Sequence, residues 1–238
     1  MALDEHARQE WPETIEIDGE TYEEESLGAY KRVYRSLDEE NVGVVSSRGA
    51  TFEEQALHTA GIIQNEQVQR NNGITTATTY TPAKAEVDGQ AYPALVGSFR
   101  DDLVTHDELD EMLEDKGFQE RVYREIFQPV KELAEEGKTT ASPLDFINID
   151  NRNSSNLIFD TRNFGYNPAT DGLEVLDNGE LEPNGYNASA TVPEADLSDL
   201  PYAEPEDFAY QRPHDSLEEF IEDNKVDQKA QQMMSDLF

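Results

Sequence analysis

The sequence contains no cysteine, so it can form neither a disulfide nor a thiolate metal site. Its four histidines are scattered and lack the spacing of metal ligands: His6, His58, His106 and His214. No apolar run approaches the ~18 residues that a membrane-spanning helix requires. The first residues have neither the basic nor the apolar region of a secretory signal. We therefore expect no membrane span and a cytoplasmic location, or a place in a virion assembled there.

Basic residues are also scarce. Lysine and arginine number 18 against 52 acidic residues, which gives a formal net charge of -34. The acidic residues are spread along the whole chain and are not gathered in a tail. This composition resembles that of proteins from salt-accumulating halophilic archaea, which implies a high-salt cytoplasm. Because the sequence has no basic patch to release counterions, we expect no direct binding to nucleic acid.

The first hundred residues are rich in predicted strands. Residues 1–25 form an acidic N-terminal arm, in which the alternation of TIEIDG favours a short strand. Two β-rich runs predict a hairpin over residues 28–49. A capping box of Thr51 and Glu54 predicts a helix over residues 52–69. Two more strands are predicted in GITTATTYTP and GQAYPALVGSF.

Helices are predicted after residue 100. A capping box of Thr105 and Glu108 begins the first helix. An apolar stripe over residues 118–134 has helical spacing, with a bend expected at Pro129.

The last part of the chain differs in composition. Residues 182–213 are rich in proline, acid and asparagine and predict an extended loop. Residues 214–238 predict a C-terminal amphipathic helix with Asp215 and Glu218 at its cap. This helix can pack on its own domain or dock on a protein partner.

One polar stretch, NIDNRNSSNLIFD at residues 148–160, lies between two apolar runs. Asn, Ser and Asp favour turns through their own backbone hydrogen bonds, so a plain turn is one explanation. The other is a site that holds a carboxylate and an amide beside a phosphate and its metal. The later stretch LDNGE supports the second explanation, although Asn-Gly is also the strongest hairpin dipeptide.

These motifs and the order of elements resemble the atypical protein kinases, in particular the phosphatidylinositol 3/4-kinase-like and HipA-like families. Those families carry D-R-x-x-x-N before a hydrophobic strand, and I-D-x-G further on. The resemblance implies a degenerate and truncated α+β fold of the two-lobed kinase-like class. Residues 26–99 would form a small β-rich N-terminal lobe with one helix. Residues 100–181 would form a mainly helical, shortened C-terminal lobe.

The resemblance assigns roles to five residues. Asp150 would be the catalytic residue that accepts or orients the proton of the substrate hydroxyl. Asn156 and Asp177 would hold Mg on the phosphates of ATP, for which oxygen donors are suitable. Gly28, in a hairpin similar to a glycine-rich loop, and Arg48 would bind the nucleotide.

The sequence departs from the family pattern at two points. Asn156 lies six residues after Asp150, where the families have five. The position of the usual phosphate-binding lysine reads Val45, and Arg48 is the nearby substitute. The resemblance therefore implies either an ATP- and magnesium-dependent phosphotransferase or a nucleotide-binding pseudokinase. The alternative class is a structural or assembly protein of a haloarchaeal virus particle without catalytic activity.

The charge leads to a prediction about stability. At about 1 M salt the Debye length is ~3 Å, so surface carboxylates hardly repel one another, whereas in dilute buffer they oppose compaction. We expect the melting temperature, followed by circular dichroism, to be much higher in molar potassium chloride than at low salt. An unchanged melting temperature would contradict this expectation.

Overall fold

The computed structural model describes residues 12–27, 31–38, 40–46, 51–147, 159–176, 179, 181, 189–190 and 202–237. These residues belong to two compact units. The first unit draws on Met1–Gln64, Thr78–Arg100 and Lys225–Phe238, and the second draws on Asn65–Ala77 and Asp101–Asn224.

The described secondary structure mixes short strands and helices. The strands are β1 (Thr14–Ile17), β2 (Glu20–Leu27), β3 (Lys31–Ser36), β4 (Asn41–Ser46), β5 (Thr81–Val87), β6 (Gln90–Ser98), β7 (Phe164–Asn167), β8 (Gly172–Val175), β9 (Ser189–Ala190) and β10 (Tyr210–Gln211). The α-helices are α1 (Phe52–Asn71), α2 (His106–Met112), α3 (Lys116–Val122), α4 (Gln128–Glu135), α5 (Leu217–Asp223) and α6 (Val226–Leu237). A π-helical turn spans Tyr123–Phe127, and 3-10 turns span Pro143–Phe146 and Pro205–Phe208.

The first unit is built on a closed antiparallel barrel of six strands in the order β1-β2-β3-β4-β6-β5. The ring closes because β1 pairs with both β2 and β5. Asp18 and Gly19 connect β1 to β2 with φ of 50° and 84°, and Asp88 and Gly89 connect β5 to β6 with φ of 52° and 78°. Two positive φ values in a two-residue loop define the hairpin turns that favour Asp-Gly and match strand twist.

Alternation along the strands fills the inside of the barrel. The short strand β1 buries Ile15 and Ile17 and exposes Thr14 and Glu16. An ideal Cβ at Gly43 would lie 2.3 Å from Ile17 Cδ1, so the missing side chain leaves room for the isoleucine. The barrel core consists of Ile15, Ile17, Tyr22, Tyr34, Val45, Ala83, Ala85, Val87, Tyr92 and Ala94.

The fold class expected from the resemblance is wrong. The chain has a closed six-stranded barrel, not the small β-rich lobe and mainly helical larger lobe of a two-lobed kinase-like fold. The physical reason lies in the stretch assigned to an acidic arm. Ile15 and Ile17 there alternate with polar residues and form a buried face, and β1 pairs with β2 on one edge and with β5 on the other.

Helix α1 follows the prediction closely. The Thr51 N–H donates to Glu54 Oε2 at 3.2 Å, and the Glu54 N–H donates to Thr51 Oγ1 at 3.2 Å, so the predicted capping box is confirmed. Within the first unit Ile62 packs with Val44 and Leu95 beside the barrel. The predicted helix over 52–69 therefore exists and runs to Asn71.

The C-terminal region forms two helices where one was predicted. Ser216 caps α5 by accepting a hydrogen bond from the Glu219 N–H at 3.2 Å, one position after the predicted cap. Lys225, with φ of 54°, separates α5 from α6. The apolar side of α6 is buried within this chain at Val226, Ala230 and Met233. A protein partner for this helix stays a prediction that would have to use its exposed side.

The second unit contains the helices predicted after residue 100. Thr105 makes no capping bond through its side chain, so the second predicted capping box is wrong. The next helix, α3, is capped by the Asp115 carboxylate, which accepts a hydrogen bond from the Phe118 N–H at 3.0 Å. Pro129, which cannot donate a backbone hydrogen bond, lies in the first turn of α4, directly after the π-helical turn. The bend expected there stays a prediction.

An aromatic core joins the helices of the second unit to the β7–β8 hairpin. The N–H groups of Ala77 and Val175 donate to the carbonyls of Val175 and Thr75, each at 2.8 Å, which adds residues 75–77 beside β8. Five fully buried phenylalanines belong to this core: Phe127, Phe146, Phe159, Phe164 and Phe208. Among the helices of the described residues, none is both long and apolar enough to cross a membrane.

Barrel closure can be tested at two neighbouring positions of β1. Ile17 is 1% exposed inside the barrel, whereas Glu16 is exposed outside it. We expect Ile17→Ala to lower the free energy of unfolding by about 2–5 kcal/mol, and Glu16→Ala to change it by less than about 0.5 kcal/mol. Urea titration in molar potassium chloride measures both values. Equal small effects would indicate a solvated arm and no closing strand.

Candidate functional site

The five predicted site residues all lie outside the described residues. Asp150 and Asn156 fall within residues 148–158, and Asp177 falls within 177–178. The other two are Gly28, within 28–30, and Arg48, within 47–50. Their roles therefore stay predictions, and the described residues on either side define where each segment joins the fold.

The residues on either side of segment 148–158 pair with each other in the second unit. Ile147 and Phe159 are antiparallel bridge partners. The Asp160 N–H donates to the Phe146 carbonyl at 3.0 Å. Phe146 and Phe159 are buried in the aromatic core, so both ends of the segment are held by hydrogen bonds and by packing.

Leu176, which precedes Asp177, is hydrogen-bonded to the residues around the same bridge. The Leu176 N–H donates to the Asn163 carbonyl at 2.9 Å. Asn163 Nδ2 donates in turn to the Asp145 carbonyl at 2.5 Å, just before the bridge. These residues form one hydrogen-bonded set, which we call the stem platform: Asp145–Ile147, Phe159–Asn163 and Leu176.

Gly179 fixes the chain after residues 177–178. Its φ is +76°, in the left-handed region that favours glycine. An ideal Cβ at Gly179 would lie 2.7 Å from Ala141 Cα, closer than real Cβ atoms approach backbone. The Gly179 carbonyl accepts a hydrogen bond from Asn65 Nδ2 at 3.3 Å. Glycine is thus required both by backbone conformation and by close approach.

A buried polar network surrounds this contact. Asn65 is 0% exposed, and its Oδ1 accepts from Thr139 Oγ1 at 3.0 Å and from the Thr140 N–H at 3.1 Å. Asn65 Nδ2 also donates to Thr140 Oγ1 at 2.7 Å. Arg212 Nη2 donates to the carbonyls of Thr140 and Ala141 at 2.8 and 3.3 Å. The network holds residues 139–141 beside Gly179.

The acidic group nearest to the bridge in sequence is already paired. Arg162 Nε donates to Asp160 Oδ1 and Oδ2 at 2.8 and 3.1 Å, and its Nη2 also contacts Asp160 Oδ2. These hydrogen bonds raise the pKa of Arg162. Because the carboxylate of Asp160 is engaged by a guanidinium, it is poorly suited to act as a metal ligand.

A second charged cluster lies on the surface of the same unit. Arg121 Nη1 and the Tyr166 hydroxyl donate to Asp171 Oδ1 at 2.7 and 3.0 Å. The hydrogen bond from Arg121, followed by that from Tyr166, lowers the pKa of the Asp171 carboxyl. The cluster joins α3 to the β7–β8 turn and is explained by this structural contact.

The buried carboxylates of the second unit have partners as well. Glu174 accepts from Asn167 Nδ2 at 2.7 Å. Glu66 accepts from Arg70 Nη1 at 3.3 Å. Within the described part of the chain, no group of three or more His, Asp or Glu side chains could hold a metal ion. A site with three or more such ligands would therefore need at least one residue from outside the described part of the chain.

The prediction missed Asn65, although the sequence contains a signal for it. Gln64, Asn65 and Glu66 are consecutive in α1, and successive helical side chains point about 100° apart. Three such residues span about 200° of the helix circumference, so a helix that is buried on most sides must bury at least one of them. In the structure all three are buried, at 7%, 0% and 2% exposure.

Comparisons with known protein families and with curated proteins find no match to this chain. The assignment of a site therefore depends on the residues and on the geometry described above.

The close approach at Gly179 leads to a stability prediction with a matched control. Gly73 also has a positive φ, 85°, but nothing lies within 4 Å of its ideal Cβ. Gly73→Ala should cost roughly 1–2 kcal/mol for the backbone conformation alone. Gly179→Ala should cost about 1–3 kcal/mol more, because the added methyl overlaps Ala141. Urea unfolding measures both, and equal losses would show that Gly179 is not tightly packed.

Proposed function

We propose that this chain is a phosphotransferase that binds magnesium and ATP through Asn156 and Asp177 and uses Asp150 as the catalytic residue. The observation that carries the proposal is the stem platform. The residues that flank two polar segments, which together carry three oxygen-donor residues, belong to one hydrogen-bonded set. A plain turn at residues 148–158 does not by itself require the second segment to begin beside it.

Covalent geometry limits how far each residue can extend from the stem platform. A residue of extended chain spans at most about 3.6 Å. Asp177 directly follows Leu176, and Asp150 and Asn156 are each three residues from the Ile147–Phe159 bridge. Three residues reach about 11 Å at most. Chain length therefore allows Asn156 and Asp177 to share one ion near the stem platform, with Asp150 beside it.

The chemistry of the three residues fits magnesium. Magnesium prefers oxygen ligands and is usually held by one or two carboxylates together with phosphate and water. Asp177 supplies a carboxylate and Asn156 an amide oxygen, while the nearby Asp160 is paired with Arg162. When bound, magnesium would supply charge neutralisation for the nucleotide phosphates.

Asp150 has a different role in the proposed reaction. Its carboxylate would accept or orient the proton of the attacking substrate hydroxyl while the terminal phosphate of ATP is transferred to that oxygen. This assignment rests on the position of Asp150 in the same segment as Asn156. The proposed metal site does not require Gly28 or Arg48, whose nucleotide contacts stay predictions of the resemblance.

The charge of the protein sets the conditions for binding. A net charge of -34 repels free ATP, which is itself an anion. Magnesium offsets part of the nucleotide charge, and molar salt screens the remaining repulsion over ~3 Å. Binding should therefore depend on both magnesium and salt.

Thermal shift and isothermal titration calorimetry in molar potassium chloride test the metal site. ATP with magnesium should raise the melting temperature, since a ligand at a hundred times its Kd stabilises by about 2.7 kcal/mol. Asp177→Asn should weaken magnesium-dependent binding at least about tenfold by removing a charged ligand. Asp107→Asn, an exposed substitution in α2 of the same unit, is the matched control and should bind like the wild type.

The same variants separate the proposal from its rival. Asp150→Asn should keep magnesium-dependent ATP binding and lose the slow hydrolysis of ATP that a phosphotransferase shows with water as acceptor. If the wild type shows no nucleotide effect and light scattering finds a large closed oligomer, the structural or assembly function replaces this proposal.

A further inference from the structure

The exposed pair Asn72-Gly73 directly follows α1 in the second unit. An asparagine that precedes glycine is prone to spontaneous deamidation, because glycine has no side chain to hinder attack by its own backbone nitrogen. We propose that Asn72 is a modification site that the end of α1 keeps closed. Deamidation then occurs when the last turn of this helix opens.

The proposed reaction needs only water as a co-reactant. The backbone nitrogen of Gly73 loses its proton and attacks Asn72 Cγ, which closes a succinimide ring. The bond between Cγ and Nδ2 breaks, and Nδ2 leaves as ammonia with the proton that Gly73 released. Water then opens the ring at either carbonyl, so residue 72 becomes aspartate or isoaspartate. The net change replaces an amino group with a hydroxyl group.

The nitrogen that would attack is already engaged in a helix cap. The Gly73 N–H donates to the Arg70 carbonyl at 3.1 Å. The Ile74 N–H donates to the Gln69 carbonyl at 3.0 Å. With φ of 85° at Gly73, these two bonds form a Schellman motif. The proton that must leave Gly73 is therefore held against a carbonyl oxygen.

The group that would leave is held as well. Asn72 Nδ2 donates to the Val68 carbonyl at 2.8 Å, and the Asn72 N–H donates to the same carbonyl at 3.2 Å. Both reacting groups, the Gly73 nitrogen and the Asn72 amide, must therefore give up a hydrogen bond before deamidation can proceed.

An apolar contact anchors the motif to the core of the second unit. Ile74 is 3% exposed and belongs to the aromatic core, and Val68 packs against the same core. Such a contact between the residue after the glycine and the last turn of the helix frequently accompanies a Schellman motif. Opening the end of α1 therefore requires Ile74 to lose part of its burial.

The products cannot rebuild the original cap. Neither aspartate nor isoaspartate has the Nδ2 group that donates to the Val68 carbonyl. Each places a carboxylate at the C-terminus of α1, where the helix dipole disfavours negative charge. Isoaspartate also adds a carbon to the backbone within the motif. An opening that leads to reaction thus weakens the end of α1 permanently.

Two variants with isomeric side chains test this role of the helix end. Ile74→Ala removes the apolar anchor of the motif. Leu133→Ala removes a side chain that is also 3% exposed in the same core but belongs to α4. Each protein is incubated in mildly alkaline buffer with molar potassium chloride, and also unfolded in concentrated urea. Mass spectrometry follows the tryptic peptide of residues 71–84, which contains this Asn-Gly pair alone.

We expect folded wild type to deamidate at Asn72 at least about tenfold more slowly than unfolded wild type, which corresponds to an opening free energy of about 1.4 kcal/mol or more. Ile74→Ala should raise the rate in the folded protein at least about tenfold, and Leu133→Ala less than about threefold. Circular dichroism confirms that each variant is folded during incubation. Should Ile74→Ala not fold, Ile74→Val and Leu133→Val make the same comparison.

Three results would overturn the inference. Deamidation of folded wild type at the rate found in urea would show that the motif does not protect Asn72. Equal acceleration by both variants would show that the protection comes from the whole core and not from the end of α1. No deamidation at Asn72 in urea would refute the modification site itself. None of these results depends on the proposed phosphotransferase function.

Discussion

The pairing of β1 on both of its edges is the constraint on which the first unit depends. One edge of Thr14–Ile17 bonds to β2 and the other to β5, and this closes six strands into a ring. Closure gives each of the six described strands a hydrogen-bonded neighbour on both sides and encloses Ile15 and Ile17 with the tyrosines and alanines of the core. It stabilises a chain whose surface charge opposes compaction.

In the second unit, a packed interior holds the residues that flank two polar segments. The aromatic core fixes the Ile147–Phe159 bridge, and backbone hydrogen bonds extend from it to Leu176. The buried amide of Asn65 then holds the chain at Gly179. Hydrophobic packing thus anchors the beginning of each polar segment, and directional hydrogen bonds set where the second one ends.

Local signals in the sequence predicted single elements well and their assembly poorly. The capping box at Thr51 acts within a few residues, so the sequence pattern identified it, although the same pattern at Thr105 forms no side-chain cap. Barrel closure joins Glu16 and Ile17 to residues 85–86 far along the chain, and no local pattern encodes that pairing. For the candidate site, the sequence motifs indicated polar residues, whereas the contact of Asn65 with Thr140 and Gly179 depends on tertiary packing.

The seam that closes the barrel places acid opposite acid. Glu16 pairs in register with Glu86, and Lys84 Nζ contacts Glu86 at 3.3 Å. Like charges directly opposite one another weaken a strand pair, and the partly buried Lys84 compensates only in part. We therefore expect a lower salt concentration to weaken the pairing of β1 with β5 before it destabilises the rest of the barrel. The ring would fray first between β1 and β5, so hydrogen exchange there would accelerate before the remaining strands lose their protection.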